Sequence, residues 1–454
     1  MLPMILPVNH LVLLSGSDNH MRVMVVGAGA REHALVWKLK ASPNVSHIFV
    51  APGNGGTDKM ATNLPIAVED IDTLARAAVR FRVDLTVVGS EVPLSLGIVN
   101  KFQQSGLPIF GPSKESARLE SSKAFARILM TKYGIPGPEY RIFNNYSDGY
   151  KFLSNHQGPL VVKADGLAAG KGAIVCVDQE ASINALYDCM EEKVFGVAGS
   201  TVVVEEYLQG TEISVFAFSD GEQVSSLVVA SDYKRLLDGN RGPNTGGMGS
   251  FTPVPEWRND FASEVRSKVM MPVIEGMAEQ GYPYKGVLYA GLMVKDNEFK
   301  VLEFNCRFGD PETQVLMPIL ESDLLDVLMS SVEGGLALKP VKWADRASVG
   351  VVIASRGYPG SYRKGQVING LDQIDPSTLI FHAGTARDKE HPERLVTVGG
   401  RVLTVVSSAD TLEEARGSVY ENVGHIEFNG AHFRKDISYP YVEPIKKGVA
   451  RKNG

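Results

Sequence analysis

Cysteine is scarce. Only Cys176, Cys189 and Cys306 occur in 454 residues. They are scattered and form no Cys-x-x-Cys pair, which excludes a disulfide scaffold and a zinc ribbon. That usage fits a reducing compartment, so a cytoplasmic location is expected. No apolar run approaches the ~18 residues a membrane span needs, so no membrane association is expected. Positive charge is not in excess either: 46 Lys and Arg against 52 Asp and Glu leave a net charge of −6. No nucleic-acid partner is expected, because non-specific binding needs a basic face. None of the nine histidines stands in a Ser/His or Cys/His arrangement, so no nucleophile triad is expected. Residues 1–20 lack a basic start and contain Pro3 and Pro7, which argues against a signal peptide. They are read as a disordered extension, and 443–454 as a frayed tail.

What is present is globular. A 44% apolar, 22% charged composition excludes bulk disorder, and the length suggests about three domains. From Met21 the pattern alternates. Arg22–Val26, Ser46–Val50, Asp84–Val88 and Leu107–Phe110 read as strands. Arg31–Ala41, Asp70–Phe81 and Val92–Ser105 read as helices between them. This predicts a parallel sheet covered by helices, a Rossmann-like N-terminal domain. Pro112–Tyr133 reads as one helix. Strands then dominate Leu160–Glu206, with a helix near Ala181–Glu191. Further strands are expected at Ile213–Phe218, Val224–Ala230, Gly286–Val294 and Phe299–Phe304. A last block to about Val442 mixes strands, turns and a helix at Leu412–Val423. The fold class is therefore multidomain, α/β and α+β, ending in a mixed β domain.

Glycine makes up 46 of the 454 residues, above the ~7% usual, and its clusters carry the chemistry. Gly27-Ala-Gly29-Ala-Arg31-Glu32 follows a strand and opens a helix, the context of a phosphate site. A dinucleotide fingerprint needs glycine where Glu32 stands, and an acidic end to the second strand that is missing here. A sugar-phosphate site with Arg31 as its cation, a dinucleotide site and a structural turn all remain open. Pro52-Gly-Asn54-Gly-Gly-Thr57 either adds loop N–H groups at the same sheet edge or is an ordinary turn.

Lys163-Ala-Asp-Gly-Leu-Ala-Ala-Gly170-Lys171-Gly172 is not a P-loop. Three residues separate Gly166 from Gly170, and a strand follows instead of a helix. It reads as a β-hairpin with a glycine-rich lid able to cover nucleotide phosphates, Lys163 reaching them from the first strand. A flexible surface hairpin is the alternative. Downstream, Glu205-Glu206-Tyr-Leu208 ends a strand whose main chain suits an adenine edge, and Glu212 suits ribose hydroxyls; solvated strand-end charges are the plain alternative.

Glu303-Phe-Asn305-Cys-Arg307-Phe-Gly-Asp-Pro-Glu312 is the sharpest signal. Glu303 and Asn305 lie two apart on a strand, so both leave the same face. Paired oxygen ligands suit a divalent cation bridging nucleotide phosphates. Arg307 continues the face and suits a carboxylate or a transferring phosphoryl group. Asp232-Tyr-Lys234-Arg235 and Gly-Pro-Asn244-Thr-Gly-Gly247-Met-Gly form a cationic, glycine-rich loop with the composition of a phosphate or small-substrate site.

In this order, from Met21 to Val442, these motifs resemble the ATP-grasp ligases. Within them they resemble the glycinamide ribonucleotide synthetase family of purine biosynthesis. Gly-Ala-Arg31-Glu-His-Ala, Pro-Gly-Asn-x-Gly-Thr57, Asp-Tyr-Lys-Arg235, Asn-Thr-Gly-Gly-Met-Gly249 and Arg307-Phe-Gly-Asp-Pro-Glu312 carry that narrower likeness. The resemblance implies an ATP-grasp core (123–142 and 207–345) enclosing a lid lobe (143–206), between an N-terminal domain (21–122) and a C-terminal domain (346–442). It implies ligation of glycine to 5-phosphoribosylamine with ATP, through glycyl phosphate.

The implied roles follow residue by residue. Lys123, Lys163 and the Gly170-Lys171-Gly172 lid meet ATP phosphates. Glu205, Glu206 and Leu208 meet adenine, and Glu212 meets ribose. Glu303 and Asn305 hold Mg2+ or Mn2+. Lys234 and Arg307 serve the chemistry. Gly27, Gly29, Arg31, Glu32, Asn54 and Thr57, with Asp232, Asn244 and Gly247 opposite, take the substrate. A monomer or weak dimer is expected. A biotin-carboxylase-type enzyme, a non-catalytic nucleotide-binding regulator and a dehydrogenase are the rivals. The Arg307–Glu312 and Asn244–Gly249 loops, the intact Glu303/Asn305 pair and Glu32, respectively, argue against them.

Overall fold

The computed structural model describes residues 20–168 and 171–439. The predicted tail and all but His20 of the predicted extension lie outside them. The chain opens with β1 (Met21–Gly27), α1 (Ala30–Lys40), β2 (Val45–Pro52), β3 (Thr62–Asn63), α2 (Ile71–Arg80), β4 (Leu85–Val88), α3 (Glu91–Leu96), α4 (Ile98–Gln104) and β5 (Ile109–Phe110). The strands are parallel in the order β3-β2-β1-β4-β5. Val23–Val26 are fully buried, as an uninterrupted apolar strand covered on both faces requires. Two differences from the sequence reading are physical. The expected helix over 92–105 is two helices, broken at Gly97, whose φ of +90° ends the first. β3, two residues long, is too short to show a period.

The predicted helix over 112–133 also divides, into α5 (Arg118–Ser121) and α6 (Lys123–Lys132). Ser122 is extended between them (φ −140°, ψ 108°), and its side chain caps α6 by accepting the Phe125 N–H.

A four-stranded antiparallel lobe follows: β6 (Tyr140–Phe143), α7 (Tyr146–Leu153), β7 (Leu160–Ala164), β8 (Ala173–Cys176), α8 (Gln179–Met190) and β9 (Val202–Glu206), ordered β6-β9-β7-β8. β7 and β8 form the expected hairpin, with Lys163 opposite Ala173. The lobe has its own core, including Leu153, Val162, Leu186 and Val204.

The remaining strands are β10 (Thr211–Asp220), β11 (Val228–Asp232), β12 (Arg235–Leu237), β13 (Arg241–Asn244), β14 (Gly249–Thr252), β15 (Lys285–Lys295), β16 (Glu298–Asn305), β17 (Ala347–Ser355), β18 (Leu379–His382), β19 (Thr385–Arg387), β20 (Leu395–Thr397), β21 (Arg401–Ala409) and β22 (Ala431–His432). Nine of them form one sheet, β16-β15-β10-β11-β14-β17-β21-β18, with β22 on β17. The sheet is continuous across residue 345, because β14 pairs with β17. Its helices are α9 (Asn259–Val265), α10 (Met271–Glu279), α11 (Glu312–Leu316), α12 (Leu324–Glu333) and α13 (Leu412–Val423). One hydrophobic cluster joins Leu35 of α1 and Phe110 of β5 to Phe218, Phe308, Leu328 and Phe381. The N-terminal unit thereby packs against the central sheet.

Candidate active site

A cleft of about 930 Å³ opens between the lobe and the central sheet. The β7–β8 hairpin, the β9–β10 link, the β12–β13 hairpin and the end of β16 border it. Glu303 and Asn305 both line it. The pairing of β16 with β15 explains their aim. Gly291 faces Glu303 and Leu292 faces Val301, so Leu302 is an extra, bulged residue just before Glu303. Bulges beside sites re-aim the side chains that follow.

Four cations surround the Glu303 carboxylate. Burial alone would raise its pKa, but Lys234, Lys163, Lys123 and Arg307 outweigh it and hold the group at about 2. Lys234 Nζ lies 3.9 Å from Glu303 and closer still to Glu212. Burial opposes the charge on Lys234, yet Glu212 and Asp232 lift its pKa well above the usual lysine value. Lys163 Nζ sits 2.7 Å from Glu205 and donates to the Leu302 carbonyl at 3.1 Å. Lys123 Nζ donates to the Gly166 carbonyl at 3.0 Å, tying α6 to the hairpin. Arg307 donates to Asn305 Oδ1 at 3.1 Å and lies 3.1 Å from Glu120 and 3.4 Å from Glu91.

Beyond this cluster, Asp232 presents a solvent-excluded Oδ1 without a hydrogen-bond partner among the described residues. Burial raises its pKa well above the carboxylate range, with Lys234 opposing and Glu312 adding to the rise. Glu312 accepts hydrogen bonds from the Tyr289 and Ser214 hydroxyls at 2.9 and 3.2 Å.

The expected ATP contacts are distributed as follows. Lys123, Lys163, Gly172, Glu205, Glu206, Leu208 and Glu212 border the cleft. The Glu205 side chain is turned into ion pairs with Arg127 and Lys163, leaving its main chain for a base. Glu206 pairs with Lys300 at 2.8 Å, and Glu212 is engaged by Lys234 instead of standing free for ribose. Lys171 is exposed, with Nζ 3.4 Å from the Pro359 carbonyl. Gly170 lies outside the described residues.

The first glycine loop differs from expectation. Among the residues that border the cleft, none of Gly27, Gly29, Arg31, Glu32, Asn54 or Thr57 occurs. Glu32 folds back over the loop, accepting the Gly29 N–H at 2.6 Å and the Arg31 Nε–H at 2.6 Å. Arg31 also donates to the Phe308 carbonyl at 3.1 Å and is only 7% exposed. It is therefore not a free cation for a terminal phosphate. A carboxylate of the chain itself occupies the helix N-terminus where an anion would bind. Asn54 accepts the N–H groups of Gly56 and Thr57 and donates to the carbonyls of Ala28 and His382. Thr57 is fully buried. Both brace the loop. On the opposite wall Asp232 and Asn244 border the cleft. Gly247 instead meets a packing need: its φ is +105° and a Cβ would lie 2.4 Å from Pro311.

Glu91, Glu120, Arg127 and Tyr289 border the cleft without having been singled out by sequence. Glu91 had a signal, since it follows β4 at the carboxyl edge of a parallel sheet, where ligands bind. Glu120 and Arg127 lie in the segment read as one continuous helix, which hides the turn at Ser122.

Two oxygen side chains on one face, one of them ionised, fit a divalent cation completed by nucleotide phosphates. Among the described residues no group of three or more His, Cys, Asp or Glu could hold a metal ion, so a cage made by protein alone is not offered there. Among them, too, no helix is long and apolar enough to cross a membrane.

A lobe with a glycine-rich hairpin, facing a central sheet that carries a carboxylate–amide pair, defines an ATP-grasp enzyme. The chain matches the family models for the N domain of phosphoribosylglycinamide synthetase over residues 21–120, its ATP-grasp (A) domain over 121–313 and its C domain over 348–440. It belongs to the phosphoribosylglycinamide synthetase family. A phosphoribosylamine–glycine ligase of Halalkalibacterium halodurans is 45% identical over 92% of this chain and 96% of its own. One of Ralstonia nicotianae is 46% identical over 92% and 99%. The solved phosphoribosylamine–glycine ligase of Thermotoga maritima superposes with a TM-score of 0.80 at 34% identity, over 91% of this chain and 99% of that one. The biotin carboxylase domain of Hydrogenobacter thermophilus 2-oxoglutarate carboxylase, at 13% identity and a TM-score of 0.71 over 91% of each chain, shares the fold alone.

Proposed function

We propose that the chain ligates glycine to 5-phosphoribosylamine at the expense of ATP, giving glycinamide ribonucleotide, ADP and phosphate. The observation that carries this reading is the convergence of Lys123, Lys163, Lys234 and Arg307 on the Glu303 carboxylate, beside Asn305. In-line phosphoryl transfer needs positioning and charge neutralisation more than a protein nucleophile, and this cluster supplies both.

In this reading ATP lies under the Gly166–Gly172 hairpin, adenine against the main chain of Glu205–Leu208. Glu303 and Asn305 hold Mg2+ or Mn2+, which when bound neutralises phosphate charge. A glycine carboxylate oxygen attacks the γ-phosphorus and ADP leaves, forming glycyl phosphate. Lys163, Lys234 and Arg307 hold the transferring group. The amine of phosphoribosylamine then attacks the acyl carbon, and phosphate leaves with the original carboxylate oxygen. Asp232, with its unpartnered oxygen, receives an amine N–H. The lobe built on β6–β9 acts as a lid, keeping water from the acyl phosphate. The reaction runs in the cytoplasm, whose reducing conditions suit three free, buried cysteines.

Glycine labelled with 18O in its carboxylate tests the intermediate. One labelled oxygen is expected in the released phosphate. Label confined to the amide product and water would overturn the acyl phosphate route.

A further inference from the structure

Arg127 lies at the junction of three segments that the site must keep in register. It projects from α6 and is 3% exposed. Nε and Nη2 donate to the two Glu205 oxygens at 2.7 and 2.9 Å. Nη1 donates to the Val301 carbonyl at 3.0 Å, and Nη2 to the Leu302 carbonyl at 2.6 Å. Nη1 also donates to the Met130 sulfur at 3.1 Å. A guanidinium has five N–H groups, so all five are committed to the protein. Arg127 therefore borders the cleft with no donor left for a nucleotide.

The acceptors are telling. Leu302 is the bulged residue of β16, directly before Glu303. Its carbonyl takes hydrogen bonds from Arg127 and from Lys163. Glu205, on the lobe's β9, bridges the same two cations. A bulge leaves an extra residue outside the ladder, and here two buried cations hold it in place. A planar fork can grip a carboxylate and two carbonyls at once; an ammonium cannot.

We propose that Arg127 is a positioning residue: by pinning the Leu302 bulge it sets the aim of Glu303 and Asn305 toward a nucleotide-bound divalent cation, and through Glu205 it ties that aim to the lobe. The proposal rests on Glu303 and Asn305 being the metal ligands.

The test is Mn2+ binding to the protein–ATP complex, followed by electron paramagnetic resonance without glycine or phosphoribosylamine, in wild type, Arg127→Lys, Glu205→Gln and Glu303→Gln. Metal-free ATP binding and thermal midpoint are measured alongside. Arg127→Lys keeps the charge and loses the fork. Its Mn2+ affinity is expected to fall about 10- to 100-fold, as for residues that orient metal ligands, while metal-free ATP binding changes by less than about threefold. Glu205→Gln, which keeps the shape and loosens the grip, is expected to show a smaller fall in the same quantity, and it answers the question if Arg127→Lys does not fold. Mn2+ binding within about twofold of wild type in the folded variants would overturn the proposal, as would a loss confined to metal-free ATP binding. Failure of the underlying assignment looks different: Glu303→Gln would then bind Mn2+ as tightly as wild type.

Discussion

The carboxylate of Glu32 accepts the backbone N–H of Gly29 at 2.6 Å, filling the mouth of the first glycine loop with a charge from the chain's own helix. A Cβ at Gly27 would lie 2.4 Å from Glu32 and one at Gly89 2.2 Å from it. Those two glycines make room for a side chain rather than for a cofactor. The residue that spoils the dinucleotide fingerprint thus also fills the space a pyrophosphate would take.

Arg31 is the ion-pair partner of this carboxylate in a nearly dry site, with Nε 2.6 Å from it. Arg31→Ala leaves Glu32 buried without its cation, a change on the order of 3 kcal/mol. A lower denaturation midpoint is expected, with KM values for the folded fraction changed little. A large selective rise in KM for the phosphorylated amine, at unchanged stability, would instead return Arg31 to the role of phosphate ligand.

Glu303→Ala removes the only carboxylate of the proposed metal pair and leaves four cations facing one another. Turnover is expected to fall by at least about 100-fold, beyond what loss of an orienting residue costs, and the thermal midpoint is expected to fall as well, because Lys234, Lys163, Lys123 and Arg307 lose the carboxylate that offsets their mutual repulsion. Steady-state assays over a range of Mg2+ check this; substantial activity at ordinary Mg2+ would remove Glu303 from the metal site.

Two buried histidines set an acid limit on stability. The His382 backbone N–H donates to His33 Nδ1 at 2.8 Å, so His33 must keep that nitrogen unprotonated. Burial, then His382 and Lys59, hold His33 at about 3. Burial, then Lys59, holds His382 at about 4 despite Asp58. Both values are depressed from 6.5, so below pH 6.5 the unfolded chain binds protons that the folded chain refuses. Stability falls as pH drops from 6.5 toward 4, by up to about 1.4 kcal/mol per pH unit for each histidine. Denaturant titrations at several pH values measure the slope. His382→Asn is expected to reduce it by one proton; an unchanged slope would contradict the assignment.

Gly247 is held at φ +105° against Pro311. Gly247→Ala therefore adds both backbone strain and a clash, and a loss of at least about 1 kcal/mol is expected. Because the loop carries Asn244 toward the cleft, kcat/KM for the amine is expected to fall more than the KM for ATP rises. Substrate-resolved kinetics of the folded variant decide this.

Much of this was legible in the sequence for a local reason. Glu303, Asn305 and Arg307 lie within five consecutive positions, and a strand's alternation sets the common face of Glu303 and Asn305, while Arg307 follows just past the end of β16. Lys163 opens a glycine-rich hairpin that no P-loop pattern fits. The N-terminal strands are apolar runs separated by clear helix periods. Other features depend on contacts that no local pattern carries. Arg127 meets Glu205 78 residues later and Val301 174 residues later. The bulge at Leu302 exists only through pairing with β15. Arg31 reads as a free cation until Glu32 is seen to fold back on it, and Ser122 reads as helix until its side chain turns to cap the helix that follows.

The most direct test is ADP release from Mg·ATP with glycine alone, with phosphoribosylamine alone and with both. Sustained release that requires both substrates is the predicted result. Sustained release driven by bicarbonate or by another amino acid, with glycine and phosphoribosylamine inert, would contradict it.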